Sequence, residues 1–307
     1  MVDRYYWGKV HRVSPEAPVP VVEVDTESVR LGGAANVANN IQALGGVPLL
    51  VGLTGSDHTG KALRDIMQEQ NLDVGGLVVD AARPTTVKTR VIAHGQHVVR
   101  IDTESKTDCP EHLRFALLDA VKYNIRSLNG IIIEDYNKGV VTKDMIEAVI
   151  SIANKYNVPV TVDPKFNNFF EFRNVTVFKP NRREVEESLG GKLLTDADVE
   201  RAGRKLREML SAKNVLLTRG EHGMTLIDDE GHVTHMNTFA TTVQDVSGAG
   251  DSVISTLTIA LSGGATVHEA AFLANCAGGL VVGEVGIAPV RPEPLLQEAL
   301  KHATNHR

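Results

Sequence analysis

Only two cysteines, Cys109 and Cys276, occur among 307 residues, and they stand in no Cys-x-x-Cys or metal-ligand spacing. That excludes a disulfide scaffold and a cysteine-built metal module, and the thiols read as reduced, as expected of a cytoplasmic protein. No apolar run approaches the roughly 20 residues of a membrane span, and no cleavable leader is recognisable. The formal net charge is −6 and no long basic run appears, which argues against general nucleic-acid binding. Anionic small substrates stay within reach of a few local cations. No Gly-x-Gly-x-x-Gly follows an early strand, which sets aside a dinucleotide dehydrogenase. There is no internal repeat, low-complexity stretch or domain-scale linker. With 42% hydrophobic and 23% charged residues, the composition is that of one large globular α/β domain with a small appendage.

Beyond residue 110, helix-period segments alternate with short apolar runs. "EHLRFALLDAVKYNI", "KDMIEAVISIANKY", "RREVEESLG" and "DVERAGRKLREML" read as helices; "GIIIED", "VPVTVDP", "NVTVFKPN" and "NVLLTRG" read as strands. Continuous apolar strands between helices predict a mostly parallel sheet covered on both faces. Ligands in such sheets bind beyond the carboxyl ends of the strands, where this chain places "EDYNKG", "DPK", "KPN" and "TRG". The first hundred residues are β-rich instead. "VPVVEVD" and "TTVKTRVIAHGQHVVRID", the latter with a hairpin turn around Gly95, flank the small-residue helix "LGGAANVANNIQALGG" and the strand "VPLLVGLTG". Strands split off in this way predict a β-lid over about 9–31 and 84–104, within a single domain spanning 1–307.

The stretch "DVSGAGDS", Asp245 to Ser252, precedes the apolar run "VISTLTIAL". Gly248, Ala249 and Gly250 can expose successive N–H groups at a helix start, where the helix dipole suits a phosphate or the charge of its transfer. No lysine follows, as a P-loop would require. An aspartate, Asp251, falls in the first helical turn instead, where a carboxylate can take the proton of a hydroxyl nucleophile. As a bare pattern, an ordinary helix cap explains it as well.

The order of segments along essentially the whole chain resembles the ribokinase-like (PfkB) carbohydrate kinases. "DVSGAGD" is similar to that family's Asp-Thr-x-Gly-Ala-Gly-Asp signature, with Val246 and Ser247 as substitutions, and "GGAANVA" (Gly32–Ala38) to its glycine-pair helix. The resemblance implies a three-layer α/β/α fold with a β-lid, Asp251 as catalytic base, and Gly248, Ala249 and Gly250 as the anion hole. It implies ATP as phosphoryl donor, held by Asn181, Thr218, Gly220, Ala249, Asn275 and Gly278. It also implies Mg2+ placed through water by Asn181 and Glu184, an arrangement a hard cation favours. Asn181 and Glu184 equally fit a capping box, and Gly278 equally fits close helix packing. A monovalent cation such as K+ is common in the family, and Asp245, Ser247 and backbone near Gly286 occupy the corresponding places.

The acceptor is read from the lid. A His94-Gly95-Gln96 loop would set Arg90 opposite Arg100 and Lys88 opposite Asp102, with Lys88, Arg90 and Arg100 on one face. Opposed arginines need an anion, and a substrate phosphate answers that need; a solvated hairpin face is the plain alternative. "DRYYWGKVHRVSPEAPVPVVEV" is similar to the opening of bacterial kinases of D-glycero-D-manno-heptose 7-phosphate. This implies phosphorylation at O1 to the 1,7-bisphosphate, a step toward nucleotide-activated heptose for lipopolysaccharide core. Family roles then give Asp3 and Asn36 to sugar hydroxyls, with Gly32 and Gly33 permitting close approach. Asp163 and Lys165 would contact sugar or phosphate, unless they form a surface ion pair, and Arg12 would reach the substrate from the lid unless it is merely solvated.

Two departures stand out. The family's first strand, expected before "VDRYY", is absent, which implies a shortened chain and an unpaired central sheet edge. The His-x-Gly-His nucleotidyltransferase often fused to heptose kinases is also absent, which implies kinase function only. A lid whose strands pair between subunits implies a homodimer. A kinase for another sugar phosphate, such as fructose phosphate, and an inactive sugar- or nucleotide-binding relative are the competing readings.

Overall fold

The computed structural model describes residues 1–240, 243, 245–283, 286 and 288–303. In chain order the elements are β1 (Val2–Val13), β2 (Pro20–Leu31), α1 (Ala34–Ala43), β3 (Gly52–Thr54), α2 (His58–Glu69), β4 (Leu77–Val79), β5 (Val87–Ala93) and β6 (Gln96–Thr103). There follow α3 (Glu111–Asn124), β7 (Ile131–Glu134), α4 (Lys143–Lys155), β8 (Val160–Asp163), β9 (Val177–Phe178), α5 (Arg182–Leu189) and α6 (Asp196–Leu210). The last are β10 (Asn214–Thr218), β11 (Met224–Ile227), β12 (Val233–Met236), α7 (Ala249–Ser262), α8 (Val267–Val281) and α9 (Pro292–Ala303). Among the described residues no helix is long and apolar enough to cross a membrane.

The main sheet has the order β12-β11-β10-β9-β8-β7. β7 to β10 run parallel, and β11 and β12 return antiparallel. Val160, Val162, Val215, Leu216 and Leu217 are fully buried, as continuous apolar strands require when both faces are covered. On one face Ile146 and Ile150 of α4 and Val199 and Leu206 of α6 pack with Phe169 and Phe178. On the other, Val37 of α1, Val253, Ile254 and Leu257 of α7 and Ala270 and Ala274 of α8 close the core. Each such side chain contributes about 1.5–3 kcal/mol by burial. Together they fix the axis of α7, so that its first turn opens at the carboxyl ends of β7, β8 and β9.

The lid is a four-stranded sheet of order β2-β1-β5-β6, wider than the 9–31 and 84–104 expected, because β1 begins at Val2 and pairs with β5 from its first residue. Arg90 stands opposite Arg100 and Lys88 opposite Asp102, as anticipated, but the turn differs. Ala93 pairs with Gln96, so the loop is the two residues His94 and Gly95, at φ 51° and 75°. Positive φ at both positions matches the twist of a tight hairpin. A register shift between Val91 and Ile92 then restores the pairing that a three-residue loop would have produced.

The expected unpaired sheet edge is present. β7 ends the main sheet, while β3 lies with β4 in a separate two-stranded sheet. A cavity of about 710 Å³ lies along both, lined by Leu53, Ile132, Ala35, Ala38 and Met145 among others.

The loop after β7 is anchored from three sides. Asn137 N and Asn168 Nδ2 donate to the Asp135 carboxylate, and Arg83 donates to the Lys138 carbonyl. Gly139, at φ 68°, packs so that a Cβ would overlap the Thr107 carbonyl oxygen. Gly139→Ala is expected to cost more than about 1 kcal/mol. Thermal unfolding followed by circular dichroism should show the midpoint lowered by a few degrees.

Candidate functional site

α7 starts after Gly248, which has φ 81°, and no side chain caps its N-terminus. The side-chain cap reading of "DVSGAGD" therefore fails among the described residues, and Ala249 N donates to the Val246 carbonyl at 3.3 Å instead. Asp251, in the first turn, is only 5% exposed. Its carboxylate accepts hydrogen bonds from Asn36 Nδ2 at 2.7 Å and Tyr136 OH at 2.9 Å. Burial raises its pKa to about 6, against the two hydrogen bonds that lower it, while the nearby Asp163 charge adds to the rise. Asn36 was expected to hold a sugar hydroxyl. It is itself buried and spends its amide on Asp251.

The strand ends converge on this turn. Asp163, closing β8, forms an ion pair with Lys179 at 2.9 Å, and both are buried; a surface pair was the expectation set against a substrate role. Burial alone would lower the Lys179 pKa, but Asp163 together with Glu134 and Glu184 outweighs it and the pKa rises. Lys179 Nζ also lies 3.8 Å from where a Cβ on Gly250 would stand. Glu134, closing β7, keeps a buried Oε2 without a hydrogen-bond partner, and desolvation pushes its pKa well up, helped by Asp163. Lys165 pairs with Glu184.

Three lid cations, Lys88, Arg90 and Arg100, were expected at a phosphate and Arg12 at the substrate, and the structure separates them. Arg90 forms an ion pair with the buried Asp3 and stacks on Tyr5. Arg100 is paired with Asp102 at 3.0 Å and is largely exposed. The opposed arginines are thus neutralised within the chain, and no external anion is needed to hold them. Lys88 is different. It lies over the Tyr136 ring at 5.4 Å, and burial lowers its pKa. Arg12 is exposed near the end of the β1–β2 hairpin, paired opposite Val21, and is not brought to the site. Asp3 approaches α1 so closely that a Cβ on Gly32 would overlap its carboxylate; the close approach there is to the chain's own aspartate. Gly33, at φ 55°, packs on the Tyr136 ring.

Asn181 and Glu184 form a full capping box on α5. Glu184 Oε2 accepts from Asn181 N at 2.8 Å and Oε1 from Lys165, so neither is free for direct metal ligation. Oxygen donors so placed fit a hard cation through intervening water. Thr218 bridges to Asn181 at the end of β10, and Gly220 turns just beyond. A polar cavity of about 520 Å³ opens beside them, lined by Arg182, Asp196, Arg219, His222, His235 and Thr238 among others. Asn275 is 3% exposed and donates to the Asn237 carbonyl, and a Cβ on Gly278 would press on Val253. Asn275 ties α8 to the loop after β12 and Gly278 packs on α7. Asp245 accepts from Ser247 N at 2.9 Å and Gly286 N at 3.1 Å, which brings together the three positions expected around a monovalent cation.

Tyr136 and Lys179 were not singled out from the sequence. Their only signal was position, in the "EDYNKG" and "KPN" segments at strand ends, and nothing local says which carboxylate each would meet.

The family model described as pfkB family carbohydrate kinase matches residues 3–294. A protein of Geobacter sulfurreducens named bifunctional protein HldE is 41% identical over 296 residues, covering 96% of this chain and 60% of the relative. Its namesake in Helicobacter pylori J99 is 40% identical over 288 residues, covering 94% and 62%. The chain thus spans about three fifths of the length of these curated relatives. Among solved structures, phosphofructokinase-2 of Escherichia coli in complex with potassium superposes with a TM-score of 0.82 at 20% identity, over 98% of this chain and 96% of that one. Ribokinase of Arabidopsis thaliana with ribose and ATP gives 0.75 at 18%, over 97% and 95%. At such identities these likenesses establish the ribokinase-like fold. With the family model spanning nearly the whole chain and relatives this similar, the protein belongs to the pfkB family of carbohydrate kinases, phosphotransferases that act on a sugar alcohol group.

Proposed function

We propose that the chain transfers the terminal phosphoryl group of ATP to O1 of D-glycero-D-manno-heptose 7-phosphate, with Asp251 as the base. The observation that carries this reading is a buried carboxylate in the first turn of a helix that no side chain caps. The acceptor hydroxyl gives its proton to Asp251 as its oxygen attacks the γ-phosphorus. The bond to the ADP oxygen breaks, and the first amides of α7, at Gly248, Ala249 and Gly250, stabilise the charge that develops. Lys179 and Asp163 supply a fixed charge pair beside them. Mg2+ would be held through water by Asn181 and Glu184 and would neutralise phosphate charge; Asp245, Ser247 and Gly286 would hold K+. ATP would lie by Thr218 and Gly220, toward the polar cavity.

The heptose assignment is supported by "RVSPEAPVPVV", which spans the turn of the β1–β2 hairpin with the strand ends on either side, and by the relatives named HldE. Lys88 and Lys165, both facing Tyr136, are the cations best placed for the sugar's phosphate, with Asp3 near its hydroxyls. A homodimer through the lid is supported by the exposure of Val99 and Ile101 on edge strand β6, at 47% and 55%.

Asp251→Asn should lower kcat by about 10²–10⁴, with ATP affinity by calorimetry unchanged. Because the base must be ionised and its pKa is raised to about 6, parental kcat/KM should fall as pH drops through 6. A parental rate in the variant overturns the mechanism. Lys88→Ala should raise KM for the sugar phosphate about tenfold or more while KM for ATP holds. In an ADP-release assay, heptose 7-phosphate should be preferred over fructose 6-phosphate; the reverse preference sinks the substrate assignment. The double variant Val99→Asp, Ile101→Asp should sediment as a monomer where the parent sediments as a dimer.

A further inference from the structure

Tyr136 stands where the two halves of the site meet. Its hydroxyl donates to Asp251 Oδ1 at 2.9 Å, across 115 residues of chain. Its ring lies under two ammonium groups, Lys88 Nζ at 5.4 Å from the lid and Lys165 Nζ at 6.0 Å from the loop after β8. The ring edge rests on α1, 3.1 Å from where a Cβ on Gly33 would stand. The loop that carries it is tied down by Arg83, Asn168 and the Asp135 carboxylate. One side chain therefore touches the carboxylate at the helix start and both cations that face it.

Burial raises the Tyr136 pKa well above its ordinary value, and the Asp251 charge adds to the rise. The phenol thus stays protonated and a donor throughout the neutral range. A donated hydrogen bond favours the ionised carboxylate and fixes the direction of its free lone pairs. An aromatic face attracts an ammonium group, by about 0.5–2 kcal/mol depending on exposure. The ring thereby helps hold two ammonium groups near one another, with Glu184 pairing the Lys165 charge.

We propose that Tyr136 is a positioning residue whose hydroxyl orients the Asp251 carboxylate and whose ring holds Lys88 and Lys165 ready for the acceptor's phosphate. This rests on the reading of Asp251 as the base. The other groups that face Asp251 are Asn36 on α1, Glu134 at the end of β7, Asp163 at the end of β8, and Lys179 beyond β9. None of them is altered by a substitution at Tyr136.

Two variants separate the hydroxyl from the ring. Tyr136→Phe should lower kcat about tenfold and move the acid limb of kcat/KM upward by about one pH unit, since a bond favouring the ionised form is lost. KM for the sugar phosphate should hold, because the ring remains. Tyr136→Leu should add a rise in that KM of about threefold or more. An unchanged kcat and acid limb in Tyr136→Phe, or an unchanged KM in Tyr136→Leu, overturns the proposal. A carbon-13 carboxyl titration of Asp251 in the free protein, assigned by its loss in Asp251→Asn, needs no substrate. Its midpoint should rise in Tyr136→Phe, and an unmoved midpoint overturns the proposal. A parent inactive on every sugar phosphate overturns the kinase reading, and the titration then decides the role of the hydroxyl on its own.

Discussion

A carboxylate kept out of water at the first turn of α7 is the constraint that the rest of the site answers to. Desolvation pushes the Asp251 carboxyl toward its neutral form, in which it could take no proton. Asn36 and Tyr136 each donate to it, and Lys179 adds a positive charge nearby, which together offset much of that penalty. The Asp163 charge pushes the other way. The resulting value of about 6 leaves the group mostly ionised near pH 7 yet basic enough to take a proton. Each contributor comes from a different element, so the layers of the sandwich must all be in place before the carboxylate has this environment.

The lid shows the same economy in charge. Two arginines face each other across β5 and β6, and each is given its own carboxylate, Arg90 by the buried Asp3 and Arg100 by Asp102. Of the three cations on the shared lid face, Lys88 is the one with no ion pair among the described residues, and it is set over an aromatic ring. A weakly held, partly desolvated ammonium is the better receptor for an incoming anion, because no internal pair has to be broken first.

Much of this was legible in the sequence. Alternating helix periods and apolar runs announced the parallel sheet, and "DVSGAGD" announced the helix start with its aspartate. The pairing of Arg90 with Arg100 was also readable, although by way of a three-residue loop; a bulge and a two-residue turn produce the same register. The ambiguous motifs resolved in opposite directions. Asn181 and Glu184 are a complete capping box, whereas α7 has no side-chain cap among the described residues. Nothing in either local pattern distinguishes these outcomes, since both begin with a polar residue before a helix. Gly278 turned inward because α7 and α8 pack closely, with Gly278 against Val253, while Asn275 is drawn to the Asn237 carbonyl; neither contact is encoded in α8 alone.

The sequence by itself determined the elements, the layer order and the placing of an aspartate at a helix start, because periodicity and turn chemistry act between residues a few positions apart. Tertiary structure alone decided the company that aspartate keeps. Its partners lie 215 and 115 residues away, and Arg90 finds Asp3 across 87. Which charges are cancelled and which stay available depends on distances of a few ångströms between elements, and only the packed core sets those.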